Sequence, residues 1–143
     1  MSDYRKILLV VDLSDDSQLV GERAKAIAAC YRAEITLLHV VEYVPVEPMG
    51  EALLPTVQVE SELVDRARIK LTELAKRLSL GDHVQLVSTG SIKSEIIRTA
   101  QKLGVDLIVL GSRERHGLAI LLNFTEDTIL HAAPCDVLAV RLH

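Results

Sequence analysis

Apolar residues in this chain gather in short runs rich in leucine and β-branched side chains: Ile7 to Val11, Ile35 to Val41, Leu107 to Leu110 and Val137 to Val140. A strand that is apolar at nearly every position is buried on both faces, as in a parallel sheet covered by helices. Between the runs, apolar residues recur every three or four positions, the spacing of a helix stripe. Val20, Ala24, Ile27, Ala28 and Tyr31 do so between Ser17 and Arg32. Leu63, Ala67, Leu71, Leu74 and Leu78 follow between Gln58 and Leu78, and Ile96, Ile97 and Ala100 between Ile92 and Leu103. Val84 to Ser88 alternates apolar with polar, which fits a strand at a sheet edge.

The predicted order is β1 (5–11), α1 (15–32), β2 (34–41), α2 (57–79), β3 (83–89), α3 (91–103), β4 (106–110), α4 (125–132), β5 (136–141). Such alternation folds as an open, doubly wound α/β sheet with right-handed crossovers and helices on both faces. Ser14 or Asp15 is placed to cap α1, Gly104 to end α3, and Pro134 to end α4. Pro45, Pro48, Pro55 and Gly50 predict an irregular loop over Glu42 to Pro55. Long loops at the carboxyl end of a strand often cover a ligand site.

A length of 143 residues predicts one domain over 1–143. With one Phe, three Tyr and no Trp, the core must be aliphatic, and there is no ring platform for single-stranded nucleic acid. Sixteen basic against twenty acidic residues, a net −4 with no basic cluster, argues against nucleic-acid binding by counterion release. No apolar run approaches the ~18 residues that span a bilayer, and the N-terminal run is too short for a signal peptide. The expectation is a soluble cytoplasmic protein with no membrane partner. Cys30 and Cys135 share no metal-ligand spacing and read as two buried, reduced thiols; no metal site is expected.

In an open α/β sheet, ligands bind outside the carboxyl ends of the strands, where strand order reverses. Asp12-Leu13-Ser14, the loop after β2, and Gly111 to Gly117 converge there. Gly111 directly after β4 would permit the sharp exit of a phosphate loop, with Arg113 and Arg115 adding positive charge. A solvated loop with two surface arginines fits the same residues, so spacing alone leaves both readings open. Other chemistries lack their residues. A receiver domain needs an Asp after β3, where Val87-Ser88-Thr89-Gly90 stands, and no Gly-x-Ser-x-Gly elbow, P-loop or Gly-x-Gly-x-x-Gly occurs. His39 reads as a hydrogen-bonded core residue, His83, His131 and His143 as surface or helix-end positions. His116 is the one histidine in the crevice loop.

The chain resembles the universal stress protein family along its whole length. Lys6 to Ser14 carries the resemblance at the start, Leu37-Leu38-His39-Val40 in β2, and Gly90 before α3. Val105 to Arg113 and Pro134 to Val140 carry it in the last third. The resemblance implies a five-stranded parallel sheet in the order 3-2-1-4-5 (adenine nucleotide alpha hydrolase-like), a stress-tolerance role without a settled reaction, and a homodimer paired through Val137, Leu138, Ala139, Val140 and Arg141. An apolar edge strand must be covered, and twofold pairing does that, as would the chain's own loops.

Nucleotide-binding members wrap ATP with a Gly-x-x-Gly loop followed by Gly-Ser/Thr, and the resemblance puts Asp12, Val40, Gly111 and Thr125 at contact positions. Glu114 replaces the second glycine, and Asn123 and Phe124 replace the later Gly-Ser pair. A carboxylate at 114 repels a polyphosphate, and Asn123 and Phe124 add bulk where backbone should approach closely. Glu126 and Asp127 satisfy the dipole of α4 from within. The expectation is therefore a non-enzymatic stress-response dimer that has lost tight ATP binding and acts through a protein partner or a small ligand. The alternative is a regulatory protein in which Arg113, Arg115 and Thr125 still hold ATP or AMP.

Overall fold

A computed structural model describes residues 3–42, 53–80, 84–113, 129 and 131–142. Its strands are β1 (Lys6–Val10), β2 (Glu34–Val41), β3 (Gln85–Thr89), β4 (Leu107–Arg113) and β5 (Asp136–Leu142). They form one sheet in the order β3-β2-β1-β4-β5 with every neighbouring pair parallel, the order that the resemblance implies. The helices are α1 (Ser17–Tyr31), α2 (Leu53–Arg77) and α3 (Ile92–Leu103).

The unbroken apolar runs become strands covered on both sides. Ile7, Leu8 and Leu9 of β1 are fully buried, and their alternation feeds two cores. Ile7, Leu9 and Val11 pack with Val20 and Ala24 of α1 and Leu71 and Leu74 of α2. Leu8 packs on the other face with Leu38, Ile108, and Ile96 and Ala100 of α3. At the N-terminal end of the sheet the Asp106 carboxylate accepts the N–H groups of Arg5 at 2.8 Å and Lys6 at 3.0 Å. Those donors hold its carboxyl below the usual range and tie β1 to β4 before the register begins.

Several boundaries differ from the sequence expectation, each for a local reason. Helix α2 starts at Leu53, inside the stretch predicted as a loop, and Pro55 lies in the first turn, where no N–H is needed; residues 43–52 lie outside the described residues. It stops at Arg77, and Ser79 turns left-handed with φ +54°. Neither Ser14 nor Asp15 caps α1: the N-cap is Asp16, without a side-chain cap bond, and the Ser17 N–H donates to the Ser14 carbonyl at 3.0 Å. Gly104 does close α3, at φ +63°, with its N–H on the carbonyls of Ala100 and Gln101. Ile129, His131 and Ala132 are helical and Pro134 follows, as expected for α4, whose predicted start lies outside the described residues. The thiols are free, but Cys30 is exposed, because α1 buries positions 20, 21, 24 and 28 and turns position 30 outward. Cys135 is half-buried, and burial pushes its thiol up.

Strand β4 continues three residues past the expected end at Leu110. Gly111 lies inside it, paired with Val140, and it is not among the positive-φ glycines. The sharp strand exit expected at Gly111 is therefore not what this glycine provides. A Cβ on it would stand 2.7 Å from Leu142 Cδ1 and 3.2 Å from Val20 Cγ2, so glycine is there to let β5 and α1 close on β4. Gly111→Ala should destabilise the protein by about 1–3 kcal/mol through overpacking. Because the clash is with Leu142, urea unfolding should show that penalty shrinking by at least about 1 kcal/mol in a Leu142→Ala background. Additive losses would remove this account.

Candidate functional site

All five strands run the same way, so their carboxyl ends share one rim of the sheet. Strand order reverses between β1 and β4, whose register (Leu9 beside Val109) sets the end of β1 against Leu110 and Gly111. The candidate site is built there, mostly from the turn that leaves β1.

Val11 is held at both ends of its peptide. Its N–H donates to the Leu38 carbonyl at 3.0 Å, and its carbonyl accepts His39 Nδ1 at 2.8 Å. A carbonyl can only accept, so Nδ1 carries the hydrogen. His39 is hydrogen-bonded as expected, but it is half-buried and not a core residue, and its bond fixes the chain just before Asp12. Leu13 then turns left-handed at φ +62°, a conformation worth about 1–3 kcal/mol of strain for a non-glycine residue. Packing of the Leu13 side chain against the core under α1 offsets that strain.

The turn aims the Asp12 carboxylate back at its own backbone. Oδ1 accepts the Ser14 N–H at 2.9 Å and the Ser17 hydroxyl at 3.1 Å. Desolvation opposes the charge, but the bonds from Ser14 and Ser17 outweigh it and hold the carboxyl below its ordinary value. Asp12 is therefore a fixed anion and a poor proton acceptor at neutral pH. Sequence reasoning did not single out Ser17 or Leu13. The signal for Ser17 was its place five residues after Asp12 in the first turn of α1; nothing in a leucine announces a left-handed turn.

The other expected positions divide. Val40 is buried in the core under α3, so whatever it offers a ligand comes from its main chain. Gly111 and Arg113 are the fifth and last residues of β4 and pair with Val140 and Leu142. Glu114, Arg115, Asn123, Phe124 and Thr125 lie outside the described residues, as does His116. Val137 to Arg141 are placed in β5, at the sheet edge opposite β3, with Val140 buried and Ala139 and Arg141 exposed. Among the described residues no cluster of His, Cys, Asp or Glu is arranged to hold a metal. No helix among them is long and apolar enough to cross a membrane.

Comparison with known proteins agrees with this architecture. The sequence profile of the universal stress protein family matches residues 3–141. Universal stress protein A homolog 2 of Coxiella burnetii is 39% identical over 99% of this chain and 98% of its own length. The solved universal stress protein UspA from Lactobacillus plantarum superposes with a TM-score of 0.75 at 26% identity, covering 99% of this chain and all of that one. A universal stress protein crystallised in complex with cAMP superposes at 0.64, with 20% identity, over 97% of this chain and 98% of its own.

The lowered Asp12 carboxyl gives a pH prediction. Its folded-state affinity for a proton is below the unfolded value near 4, so its bonds stabilise the fold above that pH and are lost as pH falls through the folded value. Asp12→Ala should cost about 1 kcal/mol at pH 7. Urea unfolding at pH 7 and pH 3 should show the gap between parent and variant narrowing at the lower pH. A gap that stays constant or widens would contradict the assignment.

Proposed function

Because the chain belongs to the universal stress protein family, we propose that it is a dimeric, non-catalytic stress-response protein of the cytoplasm that no longer holds ATP tightly. On this reading residues 1–143 form a single domain that acts through a protein partner or a small ligand. The observation that carries it is the sequence of the phosphate loop. Glu114 stands where the family motif has its second glycine, and Asn123-Phe124 where it has Gly-Ser. A carboxylate ~4 Å from a phosphate oxygen costs about 1 kcal/mol in water and several when desolvated. The retained Gly111 does not argue the other way, since a Cβ there would press on Leu142 and Val20 and packing alone favours glycine.

Asp12 supports a non-catalytic role: its carboxylate is held charged by Ser14 and Ser17, which suits hydrogen bonding better than proton transfer. Strand β5 supports the dimer. It ends the sheet with Val137 and Leu138 only half-buried, and antiparallel pairing with a twofold mate would cover them.

A second reading keeps the crevice as an adenine-nucleotide site, with Asp12 and Val40 around the nucleoside and Gly111, Arg113, Arg115 and Thr125 near the phosphates. The fold-level similarity to the protein crystallised with cAMP favours it, as does the position of Asp12 where strand order reverses.

Isothermal titration with ATP and Mg²⁺ separates the two. The parent should show no binding at or below ~10 μM, and Glu114→Gly, Asn123→Gly, Phe124→Ser together should create or greatly strengthen it. Tight binding by the parent favours the second reading, and a triple variant no better than the parent removes the blockade argument. Sedimentation equilibrium at micromolar protein should give twice the chain mass; a monomer would refute pairing through β5.

A further inference from the structure

At the sheet edge opposite β5, β3 and α2 enclose a groove of about 360 Å³, lined by Arg68, Leu71, Thr72, Gln85, Leu86 and Val87. The Val84 carbonyl accepts the Leu37 N–H at 2.9 Å, and the Gly90 N–H donates to the Val41 carbonyl at 3.1 Å. Even-numbered residues of this strand thus turn their main chain toward β2, and alternation turns the N–H and C=O of Gln85, Val87 and Thr89 outward. Among the described residues no strand pairs with that side. The side chains of Gln85 and Val87 line the groove below the same outward groups. Thr72 closes the floor, its hydroxyl 2.9 Å from the Arg68 carbonyl and 3.1 Å from the Gln85 side-chain amide.

The helix beside this edge differs in sign from the molecule. Arg66, Arg68, Lys70, Lys76 and Arg77 of α2 stand against Glu60, Glu62, Asp65 and Glu73, a net +1 within a chain of net −4. Arg68 lines the groove, is exposed, and has no ion-pair partner among the described residues. A second copy is a poor occupant, because twofold pairing of this edge would set Arg68 against its own counterpart with no carboxylate in the groove lining to meet it.

We propose that the outer edge of β3 takes up an extended acidic segment of a partner protein by strand addition. The partner's main chain pairs with Gln85, Val87 and Thr89, and one of its carboxylates enters the groove to meet Arg68. This rests on the reading that the protein works through a partner, and it assigns that partner a surface remote from the crevice. The nucleotide titration does not touch β3, so either test can fail without deciding the other.

The probe is a fluorescein-labelled octapeptide alternating valine with glutamate, titrated against the full chain by anisotropy. It should bind at least tenfold tighter than the same peptide with lysine for glutamate, and Arg68→Glu should reverse that preference. Thr89→Pro removes one outward N–H at an exposed position while leaving the ladder to β2 intact, and should weaken binding tenfold or more with a nearly unchanged melting temperature. N-methylation of alternate peptide amides should do the same on the parent protein, which keeps the backbone claim testable if the proline variant does not fold. Equal affinity for the two peptides, or full affinity after N-methylation, overturns strand addition. A single-stranded oligonucleotide that binds more tightly than either peptide overturns the choice of partner.

Discussion

The double-sided burial of β1 is the constraint from which the rest follows. A strand with Ile7, Leu8 and Leu9 all fully buried has no face to give to water, so it must sit between neighbours and beneath helices on both sides. That requirement places α1 and α2 over one face and α3 over the other, splitting the interior into two aliphatic cores that share only the sheet. It also fixes where a ligand can approach. With both faces covered, the carboxyl rim between β1 and β4 is where backbone groups and a carboxylate gather, and the Asp12 turn stands there because β1 ends there.

Most of this architecture was legible because burial on two faces writes itself into every position of a strand. The runs at Ile7, Ile35, Leu107 and Val137 marked the four strands with the strongest signal, and the alternation in Val84 to Ser88 marked the edge strand. The helix stripes held at their centres and loosened at their ends: Ala24 and Leu71 are buried, whereas Tyr31 and Leu63 keep 43% and 37% of their surface. Tyr31 is instead used by Tyr4, whose ring meets it edge-on at 5.0 Å while its hydroxyl donates to Asp136 at 2.8 Å. Boundaries were less legible where a proline or glycine serves a purpose other than the usual one, as Pro55 and Gly111 do.

The site was legible as composition and much less as geometry. Asp12 could be named from its place after β1. That its carboxylate is engaged by Ser14 and Ser17 depends on the left-handed turn at Leu13, which has no sequence signature, and the grip of His39 on Val11 depends on the pairing of β1 with β2. Val40 shows the opposite limit: a residue named for a ligand turns its side chain into the core. The two ends of the sheet differ as well. The β5 edge carries half-buried apolar residues, and the β3 edge borders a groove lined by Arg68, so two margins that no strand pairs among the described residues need not serve the same partner.

Gly111 bears on how relatives of this protein are sorted. A residue favoured small because Leu142 and Val20 close over it has an architectural reason to be glycine, whatever the neighbouring loop holds. It would outlast the disappearance of a ligand as a vestige outlasts its organ. Any search that treats this one position as a diagnostic marker would then enrol proteins whose only need is room for a leucine.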